Sequence, residues 1–470
     1  MGDFPVNIAV HSGSRFAAVL HAGYSTNEIV VVDIAAGEVV SRASLDETFY
    51  GIEFSRDGKQ LFVSGAGSEV VHEFSFKDGK LSERRQIRLR PQKERGVPAG
   101  LAVDSQGQRL FVANLWGHRV TRVDLLREPV TTDIALGAAP PAQIADAPLF
   151  NTNPEESFPY ACRLDEKRQR LYVSLWVQAA VAVIDLKSGR VVARWPTEEH
   201  PCEMALTRSG KFLYVANANR NTVTVFDAEK GKAIETIWAA LYPQSPVGST
   251  PDSLALSPEE DLLFIANADN NTVAVFDVSV PGKSRSLGFI PAGWYPTSVR
   301  VTPDGKYLLV ANGKGVSSKP NPRGPQPGIV SEKNPTVEYI ARLFRGTLGI
   351  IELPARQELE KQLVAYTAQA YRCSPLTSAT PVSATGQAEN PIPLKPGDPT
   401  PIRYCIYIVK ENRTYDQVFG DLPQGNGAPN LCLFPERVTP NHHKLARDFV
   451  LLDNFYAEAE ALVSTQVPFP

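Results

Sequence analysis

Two adjacent polar residues, Glu411 and Asn412, follow an apolar run and are the residues of this chain best suited to hold a metal ion. The run from Cys405 to Val409 indicates a buried strand, which would place both polar side chains at its carboxyl end. Open α/β sheets bind ligands at that end of their strands. A carboxylate and an amide supply hard oxygen ligands, which suit Ca²⁺, Mg²⁺ or Mn²⁺. The alternative is a strand that leaves its sheet through a polar turn capped by Asn412.

The other groups near this pair predict less chemistry. His442 and His443 are adjacent, so on a helix their side chains diverge by about 100° and do not easily share one ion. We interpret them as an exposed helix start. The loop Gly425-Asn426-Gly427 lacks the strand, turn and helix that surround a phosphate-binding loop. No G-x-S-x-G motif occurs in the chain, which excludes a hydrolase nucleophile elbow.

Composition sets outer limits on the function. The 470 residues predict two or three domains, and 43% hydrophobic with 21% charged residues is typical of a globular protein with a large core. A net charge of −3 argues against non-specific nucleic-acid binding. The sequence contains no run of about 18 apolar residues, so no membrane span is predicted. The five cysteines are widely separated, which excludes a dense disulfide framework and argues against a structural zinc site.

A repeat sets the architecture of residues 1–354. Each unit opens with a Pro or aromatic residue and a short apolar strand. A polar turn, a strand of the type L-F-V-A-N and a strand of the type T-V-x-V-F-D follow. The seven openings fall at Pro5, Phe49, Pro98, Pro159, Pro201, Pro251 and Pro296. Four short strands repeated every 40 to 60 residues or so predict a seven-bladed β-propeller, with a parallel solenoid as the structural alternative.

Two groups of residues in the predicted propeller could contact a ligand. The charged residues on or near inner strands, which would face the central channel, are Glu203, Asp252, Arg163 and Arg300. Paired and solvated channel charges are the alternative interpretation. The tryptophans near strand ends, which could line a binding mouth but fit packing in the core or rim better, are Trp116, Trp176 and Trp294.

Two insertions and a change of character complete the organisation of the chain. Residues 127–157 interrupt the ring between the third and fourth units, and residues 313–344 form a predicted rim loop inside the seventh. Residues 355–401 are a predicted amphipathic helix (355–372) followed by a Pro- and Ser/Thr-rich linker.

Residues 402–470 form a third predicted segment with secondary structure of its own. It contains a strand at Arg403–Val409 and a helix from Asn441, with Thr439 as N-cap and Pro440 at the first helical position. Residues 451–456 indicate a second buried strand.

The blades resemble YVTN-type β-propeller repeats. Tyr214-Val215-Ala216-Asn217 and Phe264-Ile265-Ala266-Asn267 stand in the motif position. The resemblance covers about three quarters of the chain. It is specific for the fold and says little about function.

The C-terminal segment has a second resemblance, carried by the motifs at 411–416, 419–420, 439–446 and 449–456. It is similar to the opening of a phosphoesterase domain of the alkaline phosphatase superfamily, which includes phospholipase C-like and acid phosphatase members. The resemblance implies that Glu411 and Asn412 contribute to a site for a divalent metal ion (Ca, Mn, Mg or Zn). It also implies that a phosphate ester is the substrate and that a metal-activated Ser or Thr attacks phosphorus.

The chain departs from that family after Tyr456. The family continues with a Ser- and Gly-containing segment and a large α/β remainder, whereas this sequence ends at Pro470. Ser464 and Thr465 are the hydroxyl residues nearest the expected nucleophile, and we do not expect either to be aligned with it. One Glu and one Asn do not hold a divalent ion tightly, because Ca²⁺ takes six or more oxygens. We therefore expect a mainly β protein, a seven-bladed propeller followed by a truncated α/β segment.

Three functions compete on this basis. The first is a propeller-fused, metal-dependent phosphoesterase that is incomplete and inactive in this chain. The second is a propeller module that binds a ligand, glycan or protein and carries a vestigial catalytic tail. The third is a lactonase-type propeller with a metal in its channel, but the inner strands mostly offer Ala, Gly and Ser. The resemblance implies a periplasmic or extracellular location, whereas the absence of a signal peptide predicts a cytoplasmic one if the N-terminus is genuine.

Overall fold

The computed structural model describes residues 1–138, 155–243, 245–317, 341, 343–374, 391, 397–406, 408 and 413–453. The chain divides into two compact units, one made of residues 1–317 and 344–373 and the other of residues 318–343 and 374–470. Among the described residues, no helix is long and apolar enough to cross a membrane.

The first unit is a ring of seven antiparallel sheets, the blades, each with its strands in chain order. The strands of blades 1 to 4 are β1 (Pro5–Val10), β2 (Phe16–Ala22), β3 (Asn27–Asp33), β4 (Glu38–Leu45), β5 (Ile52–Phe54), β6 (Gln60–Ser64), β7 (Val70–Lys77), β8 (Lys80–Arg88), β9 (Pro98–Val103), β10 (Arg109–Asn114), β11 (Arg119–Asp124), β12 (Val130–Ala135), β13 (Pro159–Asp165), β14 (Arg170–Leu175), β15 (Ala180–Asp185) and β16 (Arg190–Pro196). Those of blades 5 to 7 are β17 (Pro201–Leu206), β18 (Phe212–Asn217), β19 (Thr222–Asp227), β20 (Lys232–Trp238), β21 (Pro251–Leu256), β22 (Leu262–Asn267), β23 (Thr272–Asp277), β24 (Arg285–Pro291), β25 (Trp294–Val301), β26 (Tyr307–Gly315) and β27 (Thr347–Glu352).

The predicted seven-bladed propeller is confirmed, and five of the predicted openings are the first residues of inner strands. Blade 2 differs, because β5 begins at Ile52 and not at Phe49. The backbone there bonds to side chains: the Tyr50 carbonyl accepts from Asn7 Nδ2 (2.9 Å), and the Gly51 N–H donates to Ser64 Oγ (2.9 Å). The regular pairing of β5 with β6 therefore begins only at Ile52, opposite Val63.

The fourth strand of blade 3 was missed in the sequence. Residues 130–135, which the sequence placed inside an insertion, form β12 and pair with β11. Of its six residues only Ile134 is buried, so the outermost strand carries almost no apolar alternation. The rest of the two insertions lies largely outside the described residues.

The core lies between blades, where large side chains of the second and third strands pack face to face. The largest fully buried side chains include Phe62, Phe111, Tyr172, Tyr214, Phe226 and Phe264. Inner strands approach each other much more closely. A Cβ on Gly100 of β9 would lie 2.4 Å from the Tyr160 carbonyl oxygen and 2.7 Å from Ala161 Cα, both on β13. Only a residue without a side chain allows this backbone contact between blades 3 and 4.

The ring closes by contacts between blades 1 and 7, because β1 and β25 are both inner strands of their own sheets. Thr297 Oγ1 donates to the Pro5 carbonyl (2.6 Å), and Arg300 Nε donates to the Ile8 carbonyl (3.0 Å). The Gly346 N–H adds a bond to the Gly2 carbonyl (2.9 Å). Within the described residues, blade 7 has three strands where the other blades have four.

Helix α1 (Arg356–Cys373) confirms the helix predicted at 355–372 and packs on the propeller. Leu359 and Leu363 are buried in a cluster with residues of blades 6 and 7. The Phe289 N–H of β24 donates to Thr367 Oγ1 (2.9 Å). Gly288 has φ +139°, and a Cβ there would lie 2.3 Å from that hydroxyl, so glycine is needed where the helix meets the sheet.

In the second unit, the described residues contain two α-helices, α2 (Tyr415–Phe419) and α3 (Pro440–Asp448), and a 3₁₀ turn at Pro429–Leu431. The predicted start of α3 is confirmed, with Thr439 at the N-cap and Pro440 as the first helical residue. Pro fits there because the first helical N–H has no partner within the helix.

The predicted strand at Arg403–Val409 is wrong over its described residues, 403–406 and 408, which form no strand. Tyr404 is 90% exposed and Ile408 is 78% exposed. A strand needs a neighbour that pairs with its backbone hydrogen-bonding groups, and an apolar run alone does not supply one. The second predicted strand, 451–456, is likewise not formed at 451–453, and its remainder lies outside the described residues.

We predict that Gly100→Ala destabilises the propeller by about 1–3 kcal/mol or more, because the methyl group meets backbone atoms that cannot rotate away. Urea unfolding followed by circular dichroism measures the change. Gly349→Ala on β27 is the matched control, since its Cβ would meet Val310 no closer than 3.6 Å. Equal stabilities for the two variants would contradict the close approach of blades 3 and 4.

Candidate functional site: the central channel

Equivalent positions of the seven inner strands lie at the same level of the central channel. In every blade, the residue four positions after the opening residue pairs with the corresponding residue of the second strand of the same blade. In blade order, these residues are Ala9, Glu53, Ala102, Arg163, Ala205, Ala255 and Arg300. All seven line one cavity. We call this ring of residues the charged level, because four alanines leave room around one carboxylate and two guanidinium groups.

The level two residues nearer the openings supplies the partners of the two arginines. Glu203 of β17 is buried there, with its side chain 1% exposed. Arg300 Nη2 and Nη1 donate to its two oxygens (2.6 and 3.0 Å), and Arg163 Nη2 donates to Oε1 (2.9 Å). Ser253 Oγ donates to Oε2 as well. One carboxylate thus links blade 5 to blades 4, 6 and 7.

The charge state of Glu203 follows from these contacts. Burial alone would raise its pKa, but the guanidinium groups of Arg300 and Arg163 outweigh burial and hold the pKa of Glu203 below its ordinary value. Glu203 is therefore ionised at neutral pH. The predicted pairing of the channel charges is confirmed for Glu203, Arg163 and Arg300, which are buried or partly buried instead of solvated.

Arg300 also joins the two ends of the ring. Beyond Glu203 it donates to the Ile8 carbonyl (3.0 Å) and to Asn7 Oδ1 (2.7 Å), both on β1, and to its own neighbour Val299 (2.7 Å). These bonds engage all three of its nitrogens. Arg163 is less occupied: besides Glu203 it donates to the Cys162 carbonyl (2.9 Å), and its side chain is 31% exposed.

Glu53 is the carboxylate at the charged level that no arginine clamps. Burial raises its pKa to about 7, although the charge of Arg163, the Val103 N–H and the charge of Arg300 each lower it. Close to it, burial raises the pKa of the Cys162 thiol to about 12. Glu53 therefore gains or loses its proton near neutral pH, whereas Cys162 stays protonated.

The cavity has a volume of about 790 Å³. It extends from the charged level to the turns between first and second strands, where the basic Arg56, Lys167 and Arg208 line it. Two acidic residues lie there as well, Asp165, which is paired with Arg168, and Glu166, which accepts hydrogen bonds from Ser105. We call this end the exit face, because the inner strands end there, and the opposite end the entry face. A ligand that reaches the charged level from the exit face passes these basic side chains.

The residues of the channel do not fit a divalent metal ion. Across the part of the chain that the structure describes, there is no group of three or more His, Cys, Asp or Glu side chains that could hold one. The oxygens of Glu203 are already bonded to Arg163, Arg300 and Ser253. Glu53 alone falls far short of the six oxygens that Ca²⁺ requires. The described residues thus provide no channel metal site of the kind that the lactonase-type alternative requires.

The remaining site residues predicted from the sequence are placed elsewhere or lie outside the described residues. Glu411, Asn412, Ser464 and Thr465 all belong to the latter group. Asp252 lies near the entry face, where burial, Glu203 and Asp269 raise its pKa well above the ordinary value. Among described groups its buried Oδ1 has no hydrogen-bond partner.

The three tryptophans lie at the entry face with different surroundings. Trp116 is 61% exposed and Trp294 is 40% exposed. Trp176 instead packs between Tyr160 and His200, with ring centroids 6.2 and 4.8 Å away.

The interpretation of both histidines of α3 as exposed is wrong for His443, which is fully buried. Its Nε2 lies 2.8 Å from Asp421 Oδ1, and its Nδ1 lies 3.0 Å from Thr439 Oγ1 and 2.9 Å from the Thr439 carbonyl. Burial opposes ionisation of Asp421. Its hydrogen bonds, above all the one with His443, nevertheless lower the pKa of the Asp421 carboxyl group to about 2. Adjacent residues of a helix point in different directions. The start of α3 packs on Asp421 and therefore buries His443 without having to bury His442.

Fold and site together define a seven-bladed β-propeller with a charged central channel. Residues 20–145, a range that includes most of blades 1 to 3, match the family described as SMP-30/Gluconolactonase/LRE-like region. That match ends at residue 145, so it does not bear on the segment with the phosphoesterase resemblance.

Two curated proteins are similar over part of the chain. An uncharacterized protein of Sulfolobus acidocaldarius is 27% identical over 169 residues, which are 33% of this chain and 58% of that protein. Regucalcin of Xenopus laevis is 33% identical over 88 residues, which are 18% of this chain and 29% of that protein. The chain thus spans less than two thirds of either relative.

Solved structures agree on the fold alone. Hydrazine synthase of Kuenenia stuttgartiensis matches with a TM-score of 0.54 and 16% identity, over 74% of this chain and 95% of that one. The Cps50 (Swd1) β-propeller domain of Myceliophteria thermophila matches with a TM-score of 0.50 and 14% identity, over 66% and 94% of the two chains.

Sequence reasoning missed Glu53, although a signal for it exists. It stands four residues after the opening Phe49, as Arg163 does after Pro159 and Arg300 after Pro296. Counting from the openings would have placed all three side chains at one level. Blade 2 concealed the register because its opening residue is not proline.

We predict that Arg300→Leu destabilises the propeller by roughly 3–5 kcal/mol, since it leaves the buried Glu203 carboxylate with one guanidinium partner. The double variant Arg300→Leu/Glu203→Leu should lose less free energy of unfolding than the two single variants lose together, as measured by urea unfolding. Arg15→Leu, which removes an exposed partner of Asp33, is the control and should change stability by no more than about 1 kcal/mol. Additive losses in the double variant would show that the two channel residues act independently.

Proposed function

We propose that this chain is a β-propeller binding module whose central channel takes up a small anionic molecule. One observation carries the proposal: at the charged level two guanidinium groups share a single clamped carboxylate, Glu203, next to a cavity large enough for a small organic ligand. The arginines therefore bring one positive charge more than Glu203 neutralises. Guanidinium groups bind carboxylates and phosphates through paired N–H donors.

Arg163 is the residue that we assign to ligand binding. A guanidinium group has five N–H donors, and the two bonds to Glu203 and Cys162 use only part of them. Arg300, by contrast, has its nitrogens engaged by Glu203, Asn7 and backbone carbonyls. Basic side chains at the exit face would attract an anion toward Arg163. The similarity of blades 1 to 3 to the SMP-30/gluconolactonase-like family agrees with a small-molecule site in the channel.

Blocking the channel tests this function. The charged level has room only because four of its residues are alanine, so Ala205→Trp should fill the space beside Arg163 and abolish ligand binding. The measurement is the thermal shift of the protein in acetate, glycolate, succinate, citrate and sulfate at constant ionic strength, with glucose as the uncharged comparison. Ala233→Trp, at an exposed position of β20 in the same blade, is the matched control and should keep the shifts. Shifts that survive in Ala205→Trp would place the bound anion outside the channel.

The phosphoesterase activity implied by the resemblance of residues 411–456 remains a prediction from the sequence. We expect no hydrolysis of p-nitrophenyl phosphate above the buffer rate with added Mn²⁺ or Ca²⁺, because Glu411 and Asn412 alone supply too few oxygens for a divalent ion. The assay is run side by side with Glu411→Ala. Turnover that disappears in this variant would show a working metal site and overturn the interpretation of the tail as vestigial.

A further inference from the structure

We propose that the channel binds a compact oxyanion together with one proton, which is carried by Glu53. This inference rests on the proposed function and adds to it the charge class of the ligand and the group that controls its uptake. Its physical basis is the balance of charge among the buried and partly buried groups around the cavity.

The charged groups around the cavity centre are two arginines and two glutamates. Arg163 and Arg300 contribute two positive charges, and Glu203 contributes one negative charge that its contacts keep ionised. With Glu53 ionised the four groups sum to zero, and with Glu53 protonated they sum to +1. Leaving a charge in a buried site without a counter-charge is costly. An anion is therefore accommodated more readily when Glu53 is neutral than when it is charged.

The positions of these groups around the ring favour the same conclusion. Glu53 stands on blade 2, Arg163 on blade 4 and Arg300 on blade 7, with alanines at the other four positions of the charged level. Since Arg300 is held by Glu203 and β1, an entering anion binds to Arg163 in the space that Glu53 faces. A protonated Glu53 donates a hydrogen bond to an oxyanion, whereas its carboxylate form repels one.

Few other groups near Glu53 can change charge. The strands packed against β5 are β1, β6 and β9, and none of the three contains a titratable side chain. Across the channel, Glu53 faces Arg163 and Arg300, which stay charged, and Cys162, whose thiol stays neutral.

The charged and titratable residues in the turns beside β5 are His11, Arg56, Asp57, Lys59 and Asp104. Asp57 accepts from the Ser55 hydroxyl (2.7 Å) and is paired with Lys59 (3.6 Å). Asp104 is paired with Arg109 (3.1 Å), and the His11 ring packs on Phe54 and Phe76. Because burial brings the pKa of Glu53 to about 7, proton exchange falls in the neutral range.

Isothermal titration calorimetry of the whole chain with acetate and with sodium sulfate tests the proposal. Neither probe changes its charge appreciably between pH 6 and pH 8. The association constant should fall about tenfold over this interval, because the protonated fraction of a group with pKa near 7 falls by that factor. Titrations at pH 8 in two buffers of different ionisation enthalpy should show uptake of nearly one proton per anion.

Two variants keep the test decisive. Glu53→Gln has almost the shape of protonated Glu53, so it should bind the anion with the low-pH affinity at every pH and take up no proton. Glu38→Gln, on an exposed strand position, is the matched control and should behave as the unsubstituted protein does. Whichever probe binds more tightly identifies the preferred source of the oxyanion, a planar carboxylate or a tetrahedral sulfate- or phosphate-like group.

The possible failures are distinguishable. If neither anion binds at any pH and Ala205→Trp behaves like the unsubstituted protein, the proposed channel function itself is wrong. If an anion binds in the channel with an affinity that does not change with pH and without proton uptake, only the role of Glu53 is overturned. The same holds if Glu53→Gln keeps the full pH dependence of the unsubstituted protein.

Discussion

The buried ion pair between Arg300 and Glu203 is the interaction on which the closed ring depends. Among the described residues, each blade consists of strands that follow one another in the chain, so blades 1 and 7 share no strand. The pair substitutes for a shared strand: Arg300 of blade 7 reaches Glu203 of blade 5 and the backbone of blade 1. A buried charge without its partner costs several kcal/mol, so the inner strands of blades 4 to 7 and of blade 1 are held in place by the requirement that this carboxylate stay paired.

The same ion pair explains why the channel is chemically uneven while the blades are nearly identical. Between blades, the repeat places apolar side chains on the second and third strands, and every blade buries them in the same way. At the channel, the repeat places small residues, and a larger one is tolerated only where its polar atoms find partners. Arg163 and Arg300 meet that condition because Glu203, Ser253 and Asn7 lie one level above them. Chemistry in this protein therefore arises where single blades depart from the repeat.

Much of the fold could be predicted from the sequence because its signals are local and repeated. Proline openings, strand alternation and the Thr439-Pro440 helix start all depend on a few neighbouring residues. The failures share a different cause. β12 is an exposed outer strand with one buried side chain, whereas residues 403–406 lead into an apolar run and yet form no strand. Whether such a segment pairs is decided by residues far away in the chain.

The candidate site was predictable only in part for the same reason. Arg163, Glu203 and Arg300 could be assigned to the channel one by one, but which arginine is fully engaged depends on contacts with β1, almost 300 residues earlier in the chain. The elevated pKa of Glu53 likewise comes from burial by other blades and not from its neighbours in sequence.

The charge of the two arginines also decides what kind of ligand the channel suits. A guanidinium group at the charged level already supplies the positive charge that a divalent ion would bring to a propeller channel, and it occupies the carboxylate that the ion would need. Two like charges a few ångströms apart in a partly buried site repel strongly, so the channel does not favour both an arginine pair and a metal. Under the function proposed above, the arginines of blades 4 and 7 thus make the channel better suited to an anion than to a metal ion. Glu53 on blade 2 then determines how much net positive charge remains, because it is the carboxyl group of the charged level that the ring does not require to be ionised.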